Sequence, residues 1–574
     1  MRSRIRSLLP FVCAVLFTAR ADVVFTEPKD LVFGGLGFQN AECQLLALMP
    51  DDFRDTRVLK SFLEIRPTFA RVYTGFADAP QGQNDRFVAY YDATFRKVGT
   101  ELYAVGGMMP FVPETETEDY AARVARNLAY LVKTRGCTLI RRYCMTNELG
   151  INDRGDWYVR HMDRFRALHA ALRRAFDREG LTDVDLVATD VNNHVDFSLR
   201  QLDWATRNMD DLTGIYGTHW YMFMGCRKDG VVIRPDSPEN AAVIENHFAR
   251  LVAKAAEKGK RYFMGEFGLW TPSKQGPRKI MHDDTGFPLR EPSLAAEGAL
   301  TLAEIALAAV NSGAYAAASW SFCDYPDPFV FEDGDTPEDR AVYESARGVY
   351  WPDRKYNKWG LFRWDSVDLD YRAYPQLYTL GPLARFFHAG GRPLARTVDD
   401  PHLRVAGVRN PDGSVSWAVI NWGAAQTLRI RSAHPVDKPF RRYRYEAARV
   451  PDNPFNDLPA WVDYLSLQQG AVTVDLPAKS LTILTTDYVD RRPSEVSGIV
   501  RTNEELRWNP VSDHAHAYYR VYRNGRQIAS TVATHLRVAV AGDAAFAVKS
   551  VDRWGNMQGS DGVTAHRGVH VGRE

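Results

Sequence analysis

The sequence predicts an α/β fold, a (β/α)8 TIM barrel followed by two all-β domains, and three observations carry that reading. Between about residues 30 and 385, short apolar runs of β type alternate with longer helical patterns in eight successive units. After "GPLARFF" the helical periodicity stops and short alternating runs take over. No Gly-rich phosphate loop follows the first strand, which disfavours a doubly wound open sheet.

The elements follow in order along the 574 residues. Arg2, Arg4 and Arg6 precede an apolar run from Leu8 to Phe17 and then Ala19-Arg20-Ala21, the pattern of a signal peptide over 1–21 cleaved after Ala21. That run is too short for a membrane-spanning helix, so a secreted, periplasmic or cell-surface protein without stable membrane insertion is expected; an uncleaved anchor is the competing reading. The barrel is placed at 22–389. Its strand candidates are "LVFGGLGF", "FARVYTGF", "ELYAVGGMMPF", "TLIRRYCMTNE", "VDLVATDVNN", "LTGIYGTHWYMF", "KRYFMGEFGLW" and "YAAASWSF". Helical patterns such as "TEDYAARVARNLAYLVKTRG" and "PSLAAEGALTLAEIALAAVNSG" separate them. A β-sandwich is placed at 390–488. The last segment, 489–574, begins at a Pro-containing junction, which suggests a separately folding module. It has an early Trp508, an Asn-Gly turn in "AYYRVYRNGRQIAS" and a late β run, an order that resembles a fibronectin type III module.

Composition excludes several classes. Hydrophobic residues at 45% and charged residues at 25% are those of a globular chain rather than a disordered one. The 72 basic and 71 acidic residues balance to a net charge of +1, with no long run of either sign to meet nucleic acid. Six cysteines at this length form no disulfide framework, and no CxxC or Cys/His cluster suggests zinc, so neither a metal site nor a cofactor is expected.

In a parallel barrel the chemistry comes from the C-terminal strand ends. The fourth candidate strand stops at Asn147-Glu148 in "RRYCMTNELG"; the same dipeptide, Asn503-Glu504, recurs in the last module, where its expected role is structural. The second strand carries Arg71, the sixth His219, Trp220 and Tyr221, the seventh Glu266 and the eighth Trp320. Two carboxyl groups about 5–5.5 Å apart across a glycosidic bond suit retaining hydrolysis. Glu148 and Glu266 are the strand-end carboxylates that could form such a pair, and the negative charge of one favours a proton on the other.

With Asn-Glu on the fourth strand and Glu on the seventh, and with "WGLFRWDS" and "YRAYPQLYTLGPLARFF" closing the barrel, the chain resembles the clan A retaining glycoside hydrolases, in a layout similar to families 39, 5, 30 and 51. The resemblance implies acid/base Glu148, nucleophile Glu266, and Tyr221 or His219 orienting the nucleophile. Read from the residues, Asn147 suits a sugar 2-hydroxyl or a turn cap, and Arg71 either holds Glu266 ionised or forms a structural ion pair. Trp320 and Trp270 offer stacking faces or core packing, and Asn193 is a further contact candidate. The expected activity is double-displacement hydrolysis of a β-linked poly- or oligosaccharide. A transglycosylase with the same residues and an inactive carbohydrate-binding scaffold are the alternatives.

Overall fold

The computed structural model describes residues 21–40, 54–106, 112–149, 153–192, 195–222, 225–228, 231–269, 296–323, 360–365, 370–502, 504–538 and 544–558. Residues 1–20, which hold nearly all of the expected signal peptide 1–21, and Asn193, Trp270 and Asn503 lie outside the described residues.

Eight parallel strands close into a barrel: β1 (Gly35–Gln39), β2 (Phe69–Tyr73), β3 (Glu101–Val105), β4 (Ile140–Cys144), β5 (Asp185–Asn192), β6 (Ile215–Met222), β7 (Tyr262–Leu269) and β8 (Ala316–Ser319). Each pairs with its sequence neighbour, and β8 returns to β1 through Ala316↔Gly35 to Ser319↔Phe38. The lumen is filled by Phe69, Tyr103, Val105, Cys144, Val187, Ile215, Phe263 and Tyr315, with Phe263 edge-on to Phe69 and Tyr103. It is a packed core, and function is left to the mouth. A helix that is apolar on all sides must be covered on all sides. The helix Ala296–Ser312 is such a case, buried from Gly298 to Asn311 between the barrel and the C-terminal sheet. Its one buried acid, Glu304, is paired with Arg404 at 2.7 Å and accepts from the Trp422 indole at 2.9 Å.

The second body is built on a nine-stranded sheet whose core includes Trp417, which stacks on Phe25 at 5.0 Å and meets Phe440 at 4.3 Å. One of its strands comes from the other end of the chain: Ala21–Pro28 pairs antiparallel with Arg392–Val398 and parallel with Gln426–Ser432. The span 22–389 assigned to the barrel thus begins with a strand of the other body. Its alternating sequence, ADVVFTEP, buries Val23 and Phe25 on one face, the pattern of a half-buried strand.

Two three-stranded antiparallel sheets follow, Val500–Arg501/Glu505–Arg507/His535–Arg537 and Arg526–Thr531/His516–Arg523/Phe546–Asp552. Trp508 is buried at their centre against Tyr519, and Asn524 and Gly525 both take positive φ, as a two-residue hairpin turn requires. Glu504 is exposed, in keeping with the structural role expected of that second Asn-Glu pair. The module is docked through buried charge. Lys60, on a helix between β1 and β2, pairs with Glu64 at 2.8 Å and also with Asp457; Tyr518 donates to Glu64 at 3.0 Å, and Arg520 meets Asp457 at 3.1 Å. Tyr518→Phe leaves a buried carboxylate short of one donor and is expected to cost about 1–3 kcal/mol. The check is the denaturant midpoint.

Candidate active site

Alternation along each strand sets which side chains reach the mouth. On β2, Phe69 lies in the lumen, so Arg71 and Tyr73 do too; on β6, Ile215 brings His219 and Tyr221 with it. Register shifts break the alternation on three strands, on β4 between Ile140 and Arg142 and on two others. The register shifts between Thr189 and Val191 on β5, and between Met264 and Glu266 on β7. Such bulges re-aim side chains, and here they bring Asp190, Asn192 and Glu266 to the lumen side. Asp190 and Glu148 both sit at positive φ, 55° and 52°. Two buried non-glycine residues in that region mark backbone held by its surroundings.

The side chains converge. Arg71 is fully buried and donates to Glu266 Oε1, to Asn147 Oδ1 and, at 3.0 Å, to Asp190 Oδ2. Glu266 accepts a second bond at Oε2 from Tyr221, 2.7 Å. Glu148 Oε1 accepts from Asn192 at 2.8 Å and faces His219 Nδ1 at 3.1 Å. Asp190 Oδ1 accepts from the Tyr103 hydroxyl at 2.7 Å and lies 2.8 Å from His219 Nε2, an ion-pair contact. Asn147 Oδ1 also receives Tyr73 at 3.2 Å, which makes Nδ2 the donor end of its amide. An oxygen of Glu148, an oxygen of Glu266 and a ring nitrogen of His219 all lie within 4.8 Å of one another.

Burial opposes charge on His219, but the carboxylates of Asp190 and Glu266 outweigh it and push the imidazole up to about 10. Burial likewise works against Asp190, yet His219 and Arg71 hold its carboxyl well below the usual range. For Glu266 burial wins and the carboxyl is pushed up, against Arg71, His219 and the Tyr221 hydroxyl. Its hydrogen bonds nevertheless suit the anion, since both oxygens accept from donors. Three carboxylates against two cations leave one excess negative charge, which one added proton would neutralise. The same three atoms have the spacing of a metal-binding group. Their chemistry fits it poorly, because a charged imidazole offers no lone pair and Arg71 already occupies Glu266.

A charged His219 has a stability consequence with a definite sign. Its folded value lies above the ordinary 6.5, so its contribution is complete below about pH 6.5 and is lost as pH rises toward about 10. Denaturant midpoints across that window are expected to fall more steeply in the native protein than in His219→Gln.

Of the residues expected from sequence, Glu148, Glu266, Asn147, Arg71, His219 and Tyr221 meet in this one cluster. Both expected orienters reach Glu266, with Tyr221 the closer, His219 Nδ1 standing 3.5 Å away. Trp320 follows β8 and is buried, its backbone N–H bonded to Phe267 of β7 at 2.8 Å. Sequence reasoning missed Asp190 and Asn192, along with Tyr73 and Tyr103. The available signal was a lone carboxylate in the apolar run "LVATDVNN", the same kind of signal that Glu148 gave.

No protein-family model and no curated protein sequence matches this chain. Solved structures do. A glycoside hydrolase family 30 subfamily 8 xylanase from Clostridium acetobutylicum matches with a TM-score of 0.52 at 13% identity, over 81% of this chain and 99% of its own. A family 51 arabinofuranosidase from Xanthomonas axonopodis pv. citri gives 0.53 at 13%, over 82% and 100%. A conserved exported protein from Bacteroides fragilis gives 0.51 at 11%, over 81% and 100%. The likeness is one of fold: an eight-stranded parallel barrel followed by C-terminal β-sheets, the architecture of clan A glycoside hydrolases of families 30 and 51.

Proposed function

We propose that the chain is an exported retaining β-glycoside hydrolase acting on a poly- or oligosaccharide, with Glu266 as nucleophile and Glu148 as acid/base. The observation that carries this reading is the approach of the two carboxyl groups, oxygen to oxygen within 4.8 Å. Retention calls for carboxyl groups about 5–5.5 Å apart, whereas inversion needs roughly 6.5–9.5 Å to admit a water.

Each step has its group. Glu266, held by Arg71 and Tyr221, attacks the anomeric carbon as the Glu148 proton passes to the leaving oxygen, so one C–O bond forms while another breaks. Glu148, now the base, takes a proton from water whose oxygen attacks the same carbon and releases Glu266. Asn147, oriented by Arg71 and Tyr73, presents its amide nitrogen for a sugar hydroxyl. A sugar acceptor in place of water would make the second step transglycosylation with the same residues. A purely binding scaffold would have no use for two buried carboxyl groups held this close together, and that pair favours the enzyme.

The test is a polysaccharide panel followed by proton NMR of the first anomer released. The β-anomer is expected before mutarotation; first release of the α-anomer would remove the reading.

A further inference from the structure

Asp190 lies on β5 among the catalytic groups without being one. It is fully buried, and its two oxygens take three hydrogen bonds and one ion-pair contact. Oδ1 accepts from the Tyr103 hydroxyl at 2.7 Å and lies 2.8 Å from His219 Nε2 as an ion-pair contact. Oδ2 takes Arg71 Nη2 at 3.0 Å and the backbone N–H of Glu148 at 3.4 Å. Just beyond it, Val191 bridges to Leu149, tying β5 to the turn that carries Glu148. One carboxylate thus touches the cation bound to the nucleophile, the imidazole bound to the acid/base and the backbone of the acid/base itself.

We propose that Asp190 is a positioning residue that holds His219 as an imidazolium ion and so fixes which oxygen of Glu148 carries the donatable proton. The inference rests on the retaining reading of Glu148. Arg71 on β2, Glu148 after β4, Asp190 on β5 and Glu266 on β7 are the charged groups that face the His219 ring. With Nε2–H kept on the side of Asp190, 2.8 Å away as an ion-pair contact rather than an aligned hydrogen bond, a neutral ring would present a lone pair at Nδ1, and Glu148 Oε1 would then have to be the protonated oxygen. An imidazolium donates from both nitrogens. Oε1 then only accepts, from Nδ1–H at 3.1 Å and from Asn192 at 2.8 Å, and the proton stays on Oε2. Burial alone would discharge the ring, so the state of His219 depends on its carboxylate partners. Asp190, the one in contact with Nε2, takes no part in the proton transfers and therefore keeps its charge through the cycle.

The first measurement needs neither a substrate nor a variant of Asp190. Nitrogen-15 NMR of histidine-labelled wild-type protein, with the His219 signal assigned by its loss in His219→Gln, is expected to show two protonated ring nitrogens at about pH 8.5, roughly two units above the free imidazole value of about 6.5. A ring that titrates near that free value would overturn the proposal whatever the enzyme's activity. The second measurement uses Asp190→Asn, with circular dichroism to confirm the fold. His219 should become neutral. Turnover of a substrate with a poor leaving group should fall about 100-fold, and that of a dinitrophenyl glycoside, which needs no proton, by less than about tenfold. Tyr103→Phe removes a donor to Asp190 without changing charge and should preserve the imidazolium. An equal loss of both activities, or an unchanged His219 in Asp190→Asn, would reject Asp190 as the positioning group. Full activity with an unchanged ring would reject it too, while leaving the assignments of Glu148 and Glu266 intact.

Discussion

Replacing Glu266 with Gln is expected to lower turnover by roughly 10⁴–10⁶-fold, with the protein still folded. The amide has no anionic oxygen to form the glycosyl bond. The fold survives because Arg71 is not stranded: a buried cation that loses its only partner costs about 3–5 kcal/mol, but Arg71 keeps Asp190 at 3.0 Å. Glu266→Ala goes further and leaves a cavity beside the guanidinium, a natural place for a small anion. Azide should enter it and attack an activated β-glycoside directly, restoring part of the activity and yielding an α-glycosyl azide. A variant that keeps most of its turnover, or a rescue product of β configuration, would displace Glu266 from the nucleophile role.

The bulges on β5 and β7 explain what could and could not be read from the sequence. The barrel was legible because each strand is an apolar run bounded by turns and followed by a helical period, and Glu148 and Glu266 stood out as carboxylates at strand ends. On β5 strict alternation from the lumen residue Val187 leads to Thr189, Val191 and Asn193, and Asn193 was the residue the sequence offered. The register shift after Thr189 reverses that parity and turns Asp190 and Asn192 inward instead. β7 has the same device, since alternation from Phe263 would point Gly265 to the lumen. Glu266 was identified by its place on the seventh strand, an argument that a one-residue shift does not disturb. A bulge leaves little trace in sequence when the residue that takes positive φ is an aspartate rather than a glycine. The N-terminal strand was hidden for another reason. Val23 and Phe25 show a buried face, but nothing local states that their partners lie about 370 residues away.

The charge balance also refines the expected division of labour between the two acids. From sequence, the proton was placed on Glu148 because an ionised Glu266 stands nearby. Burial in fact pushes the Glu266 carboxyl upward, and the ionised form relies on Arg71, Tyr221 and His219 to oppose that push. In the proposed mechanism the two acids would thus be distinguished less by their own exposure than by their partners. Glu266 has donors on both oxygens, while both hydrogen bonds to Glu148 fall on Oε1.

That asymmetry determines what Glu148→Gln should do. The glutamine carbonyl can still accept from Asn192 and His219, so the site keeps its shape and loses only the proton. Substrates whose leaving group must be protonated should slow by about 10²–10⁴-fold. An aryl glycoside with a good leaving group should still glycosylate Glu266, and the intermediate should accumulate because no base activates water for the second step. The signature is a burst of released phenol followed by slow turnover, with mass spectrometry finding the sugar on the peptide that contains Glu266. Glu266→Gln should show neither burst nor adduct with the same compound. Equal slowing of both substrates in Glu148→Gln would mean that its carboxyl does not act through the leaving-group proton. An adduct on the peptide containing Glu148 in the wild-type protein would exchange the two roles.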